Sequence, residues 1–191
     1  MNIAGAKIVL DRIARLSRRA TNVGGDGATW SYTFPDDVKT TYILNEVKAQ
    51  EELGDDILNV FIWFWSFKDY LKELIVHQGG DPSSIENKVN SDQKLAICAD
   101  IANRLKHSSL NHSRSGKFPI LGSLAYSIPQ SSIKKISFRG DEVEFDFQDY
   151  ENIDIKMPIL DSSGNEIGQA LHFLSYAIDV WEKEFAACDI V

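Results

Sequence analysis

Residues 57–67 read ILNVFIWFWSF, and their apolar side chains surround nearly the whole circumference of a helix instead of forming one stripe along it. A helix that is apolar all round is a buried one, so this run predicts the central helix of the fold, continuing to about Val76. Its aromatics could be mistaken for a platform that stacks a cofactor or a base, but their density is that of a core. Asn59 and Ser66 interrupt the run, which stays well short of the ~20 apolar residues that a membrane span needs.

Working outward, Val9, Ile13 and Leu16 recur at helical spacing with Arg12, Arg15 and Arg19 on another face, which predicts a basic amphipathic helix over residues 6–20. Residues 21–34, with Gly24, Gly25 and Gly27, read as a loop without the context of a phosphate loop. Pro35 followed by Asp36 and Asp37 reads as the start of a long helix to Leu53, with a break at Gly54. Ser83 and Glu86 fit a capping box for a short helix, and Ser91 or Asn90 would cap another over about 92–109. Leu124, Tyr126 and Ile128 alternate as a short strand does. Ile136 and Phe138, then Val143, Phe145 and Phe147, alternate across Arg139-Gly140-Asp141 and predict a hairpin. Ile153, Ile155 and Met157 suggest a third strand, residues 161–164 a turn, and Leu171, Leu174, Ile178, Trp181 and Phe185 a final helix.

These elements predict a mainly α-helical protein. It would be a bundle of four to five helices with a small antiparallel sheet inserted before the last one. With 191 residues, 43% of them hydrophobic, the chain suits one domain, with the bundle over 5–110 and 168–188 and the β insertion over about 122–160. No signal peptide is legible, and Cys98 and Cys188 make no disulfide framework, so a reducing cytoplasm is expected and no membrane. His77 and His172 lack partners at metal-ligand spacing, so no metal is expected; no cofactor fingerprint is present either.

The net charge of −8 is unevenly spread. Residues 101–140 hold seven basic side chains and no acid, whereas residues 141–191 hold thirteen acids against Lys156 and Lys183. The basic block suits RNA or a nucleotide, unless the acidic segment neutralises it within one chain or across a homodimer. The acidic segment, for its part, suits a basic protein partner.

On the helix beginning near residue 92, Leu95, Cys98, Ile101, Ala102 and Leu105 form a core face, and Cys98 reads as an inert buried thiol. Asp100, Asn103 and His107 lie on the opposite side with Arg104 beside them. An imidazole can move a proton, a guanidinium can hold a phosphate and a carboxylate can orient the imidazole, so RNA could be cleaved here without metal. A solvated polar stripe is the plainer reading of the same residues. Lys106, His112, Arg114 and Lys117 lie where they could contact phosphate.

The run from Cys98 to His107 contains Asp100, Asn103, Lys106 and His107 in the order Asp-x-x-Asn-x-x-Lys-His. Over roughly residues 36–187 the chain resembles uncharacterised bacterial and phage proteins with that string, which are similar to the HEPN superfamily of small helical bundles. The resemblance implies a frequently dimeric protein acting on RNA, in a toxin–antitoxin or phage-defence setting, with His107 as general acid/base, Arg104 as phosphate ligand, and Asp100 and Asn103 as orienting groups. Two residues separate Arg104 from His107 and seven separate it from His112, and neither interval is the superfamily's own. The alternative is a noncatalytic immunity or accessory subunit that binds a basic partner through the acidic C-terminal region.

Overall fold

The computed structural model describes residues 3–189. They form five helices and three sheets, about half helix with 23% strand. This corrects the expectation of a mainly α, HEPN-like bundle: the fold is mixed α/β. Two of the missing strands come from residues 28–44, expected as loop and helix, and two short ones, at 120–121 and 166–169, lie outside the expected β insertion of about 122–160.

The described chain folds as two compact units. The first draws on the chain up to Arg19, on Asp56–Ser123 and on the chain from Met157; the second is Ala20–Asp55 with Leu124–Lys156.

In the first unit, helix α1 (Ile3–Thr21) buries Val9 and Ile13, as its spacing predicts. Two of its arginines serve structure. Arg12 lies 4.3 Å over the Trp63 ring, and Arg19 pairs at 3.0 Å with the buried Asp56. From Asp56 onward, helix α2 (Gln50–His77) carries the apolar run of residues 57–67, with Ile57, Phe61, Phe64 and Phe67 fully buried. It passes through Gly54 without the expected break. Helix α3 (Ser83–Ser91) has no side-chain cap; Asp81 instead accepts from the Ser83 backbone at 2.9 Å, in place of the expected capping box. Helix α4 (Gln93–His107) is capped by Asp92, not by Ser91 or Asn90. The Asp92 carboxylate accepts from Lys94 N and Leu95 N at 2.9 and 3.1 Å. Helix α5 (Ala170–Asp189) stacks Trp181 on Phe64 at 5.4 Å, and the indole donates to the Phe64 carbonyl. A small sheet of β3 (Ile120–Leu121), β8 (Pro158–Leu160) and β9 (Glu166–Gln169) completes the unit.

In the second unit, β1 (Ala28–Thr33), β2 (Lys39–Leu44), β6 (Glu142–Phe147) and β5 (Ile133–Arg139) lie side by side in that order. The β5–β6 hairpin turns at Gly140, whose φ of 63° is the left-handed value such a turn requires. β2 runs parallel to β6, pairing Thr41 with Glu142 and Leu44 with Phe145. β4 (Ala125–Ser127) pairs with β7 (Asp154–Lys156). Val23, Leu44, Val47, Phe147 and Ile153 form the unit's core.

Pro35 starts no helix. Phe34 accepts from Asp37 N at 3.0 Å, and Asp37 has φ 63°, so Pro35 and Asp36 are the central residues of a β-turn joining β1 to β2. Proline's fixed φ suits the second turn position as well as it suits a helix's first.

Candidate functional site

The polar stripe of α4 does not converge on one site. Asp100 is completely buried and turns toward the loop that follows the helix. Its carboxylate accepts from Ser113 Oγ (2.6 Å), Arg114 N (2.8 Å), Ser115 N (3.0 Å) and Ser115 Oγ (2.7 Å). Four donors nearly saturate its lone pairs. Ser113 Oγ also accepts from Phe118 N, and Ser115 Oγ from Lys117 N, so residues 113–118 wind around one carboxylate. Asn103 accepts from the Trp65 indole at 2.8 Å, and Lys106 donates to Ser66 Oγ at 3.2 Å.

His107 is the last residue of α4, exposed, and its carbonyl accepts from Ser108 Oγ. Arg104 is half-buried, with its Nε buried and unpartnered among the described residues. His112 and Lys117 lie exposed on the loop.

Arg114 is already engaged. Its guanidinium reaches Glu86 and Asn90, each at 2.9 Å, and lies 5.1 Å from the centre of the Trp65 ring, while Lys68 lies 4.3 Å from the same centre. Lys68 and Lys72 also pair with Glu86, at 3.0 and 3.1 Å. Burial raises the Glu86 carboxyl, but hydrogen bonds from the two lysines and the charges of Lys68 and Arg114 outweigh it and hold the group at about 2. Part of the basic block is thus neutralised within the chain. In the sheet the same happens across β5 and β6, where Lys135 stands opposite Asp146 and Arg139 opposite Glu142.

Comparison of the chain with family models, curated proteins and solved structures finds no match. The site therefore has to be read from its own chemistry.

The sheet unit is where that chemistry is unusual. Trp30, Tyr42, Val143 and Phe138 stand in one row across all four strands, each pair in direct register. Trp30 stacks on Tyr42 at 5.4 Å, and Tyr32 meets Phe34 edge-on. The next row inward, Ala28, Leu44, Phe145 and Ile136, leads to the core at Leu44. The outer row reaches solvent at its two ends, where Phe138 is 75% and Trp30 47% exposed, while Tyr42 and Val143 between them are half-buried; Tyr32, two residues further along β1, is also exposed. The opposite face is polar, with Asn45 donating to Glu144 and Asp146 at 2.9 and 2.7 Å.

Charge follows the same division. The sheet unit holds six basic side chains against fourteen acids, while the other unit holds fourteen of each, so the whole net charge of −8 belongs to the sheet unit. The acidic C-terminal segment is accordingly not one surface: its acids up to Asp154 join Asp36, Asp37, Glu51 and Glu52 in the sheet unit. Reading residues 21–53 as loop and helix hid the aromatic row. The signal that would have found it is the alternation Trp30, Tyr32, Phe34 and then Thr40, Tyr42, Leu44 among β-branched residues.

Proposed function

We propose that the chain is a noncatalytic interaction protein, of the immunity or accessory-subunit kind, whose sheet unit binds a basic protein. The observation that carries this reading is a row of apolar side chains, exposed at Trp30 and Phe138, on a unit that holds the entire net negative charge. Exposed apolar patches mark interaction surfaces, and aromatic residues such as Trp30 and Phe138 are enriched in the desolvated centres of protein interfaces. Aromatic sheets also stack single-stranded nucleic acid, but such surfaces draw their affinity from phosphate neutralisation, which a unit of charge −8 opposes. The same charge disfavours a second copy and attracts a cationic surface, quickening its encounter in a salt-dependent way.

The test is affinity capture from the source cell with the wild-type chain and with Phe138→Asp, at low and high salt. Phe138 is exposed in the free protein, so the substitution costs the fold about 1 kcal/mol at most. Covering a phenylalanine contributes about 1.5–3 kcal/mol, so the variant should bind a basic partner at least about tenfold more weakly. Equal capture by both chains, or capture indifferent to salt, contradicts the reading.

One observation favours a second reading, in which RNA is the substrate. The buried, unpartnered Nε of Arg104 and the exposed His107 are three residues apart on one helix turn. His107 would move the ribose 2′ proton and Arg104 would hold the phosphate, while Asp100 and Asn103 do not orient the imidazole, being committed to the 113–115 loop and to Trp65. Metal-free RNA nicking lost in His107→Ala supports it; wild type and variant equally inert on a broad RNA panel removes it.

A further inference from the structure

The two edges of the four-stranded sheet differ. β5 is guarded: it carries Lys134, Lys135 and Arg139, and a bulge interrupts its register between Ile133 and Lys135. Charges and bulges on an edge are what keep another strand from pairing there. β1, the other edge, is Ala-Thr-Trp-Ser-Tyr-Thr, with no charge, no proline and an unbroken six-residue register against β2. Ser31 is tied to Thr41 at 2.9 Å and Trp30 to Tyr42 by stacking, so β1 is held against β2, and its outer backbone groups are unpaired by any strand of the sheet.

Beside the start of β1 is a cavity of about 270 Å³. Ala28, Trp30, Leu44 and Tyr126 form apolar and aromatic walls, and Gln50 and Glu51, from the first turn of α2, stand at its polar side. The Tyr126 hydroxyl donates to the Lys48 carbonyl at 2.8 Å, which fixes that wall. Burial first, then the charges of Glu52 and Glu51, push the phenol up to about 12, so both carboxylates act on this space. Neither glutamate has an ion-pair partner among the described residues. The helix N-terminus contributes about half a positive charge, and the two carboxylates outweigh it. An aromatic wall with a carboxylate at one end suits a long apolar stem bearing a cation: the stem lies along the rings, and the head meets the acid and the ring faces.

We propose that β1 accepts an extended segment of the basic partner as a fifth strand, and that a Lys or Arg of that segment seats in the cavity between Trp30, Tyr126 and Glu51. Main-chain hydrogen bonds along the edge then supply affinity, and the cavity reads one alternate side chain. The proposal rests on the protein-binding reading above and names the chemistry of the partner.

The experiment uses the full chain and a labelled short peptide alternating Thr and Val with one central Arg, followed by fluorescence anisotropy. Three comparisons are made: Arg against Met in the peptide, the peptide against its form N-methylated at alternate amides, and wild type against the double variant Glu51→Gln, Glu52→Gln. Both glutamates are exposed, so the double variant should keep the wild-type circular dichroism spectrum. The Arg peptide should bind about tenfold more tightly than the Met peptide, the double variant should remove most of that difference, and N-methylation should abolish binding. Equal binding of the Arg and Met peptides, an N-methylated peptide that still binds, or no binding of any peptide overturns the proposal. Each of these outcomes leaves the effect of Phe138→Asp on partner capture intact, because Phe138 lies on β5 at the far edge. Loss of that effect instead would sink the protein-binding reading itself.

Discussion

Replacing Asp100 should cost the protein stability, not merely activity. In Asp100→Ala the Arg114 and Ser115 amides lose their acceptor in a site where the carboxylate is fully buried, while the Ser113 and Ser115 hydroxyls, already 3.2 Å apart, can turn to each other. A hydrogen bond to a charged group contributes about 1.5–3 kcal/mol, so losing the two from these amides costs about 3–6 kcal/mol, a large share of the roughly 5–15 kcal/mol by which domains are stable. Asp100→Asn keeps an acceptor on one side and sets an amide donor against donors on the other, so it should fall between wild type and alanine. His107→Ala, at an exposed group, should stay within about 0.5 kcal/mol of wild type. Urea unfolding of the four proteins measures the order directly, and hydrogen exchange at the Arg114 and Ser115 amides should quicken in the alanine variant. An Asp100→Ala protein within about 0.5 kcal/mol of wild type would refute the buried latch.

Three other outcomes are expected. Glu86 is held at about 2 against 4.5 unperturbed, so its pairs with Lys68, Lys72 and Arg114 contribute stability that is whole above pH 4.5 and fades as pH falls toward 2; the gap in urea midpoint between wild type and Glu86→Gln should shrink from pH 6 to pH 2.5, and a constant gap contradicts the pairing. Burial pushes the thiols of Cys98 and Cys188 up, so a thiol reagent should react slowly with the native protein and promptly in denaturant; a full equivalent titrated at once in native buffer contradicts this. Gly25→Ala should destabilise the sheet unit by about 1–3 kcal/mol, because a Cβ there would stand 2.9 Å from the Lys48 Cα, and an unchanged thermal midpoint contradicts that close approach.

What could be read from the sequence was what is local and periodic. The all-round apolar run of α2 and the alternation of Ile136 and Phe138 with Val143 and Phe145 about Gly140 each announce an element within one window. The strands at 28–44 were hidden because Pro35-Asp36-Asp37 is equally a helix start and a tight turn, and because the pairing that decides between them, β2 on β6, joins residues about a hundred positions apart. The candidate site failed in the same way. Helical spacing correctly sets Asp100, Asn103, Arg104 and His107 near one another along α4, but it cannot reveal that Ser113 and Ser115 return to claim the carboxylate, or that Trp65 claims the amide. The acidic block was legible as charge; its concentration in one unit needed the topology.

The most direct test of the central claim is site-specific photo-crosslinking in the source cell, with the reactive amino acid placed at Phe138 in one chain and at His107 in another. A discrete adduct with a basic protein is expected from position 138 and no nucleic-acid adduct from position 107. RNA captured at position 107, with nothing captured at position 138, would contradict it.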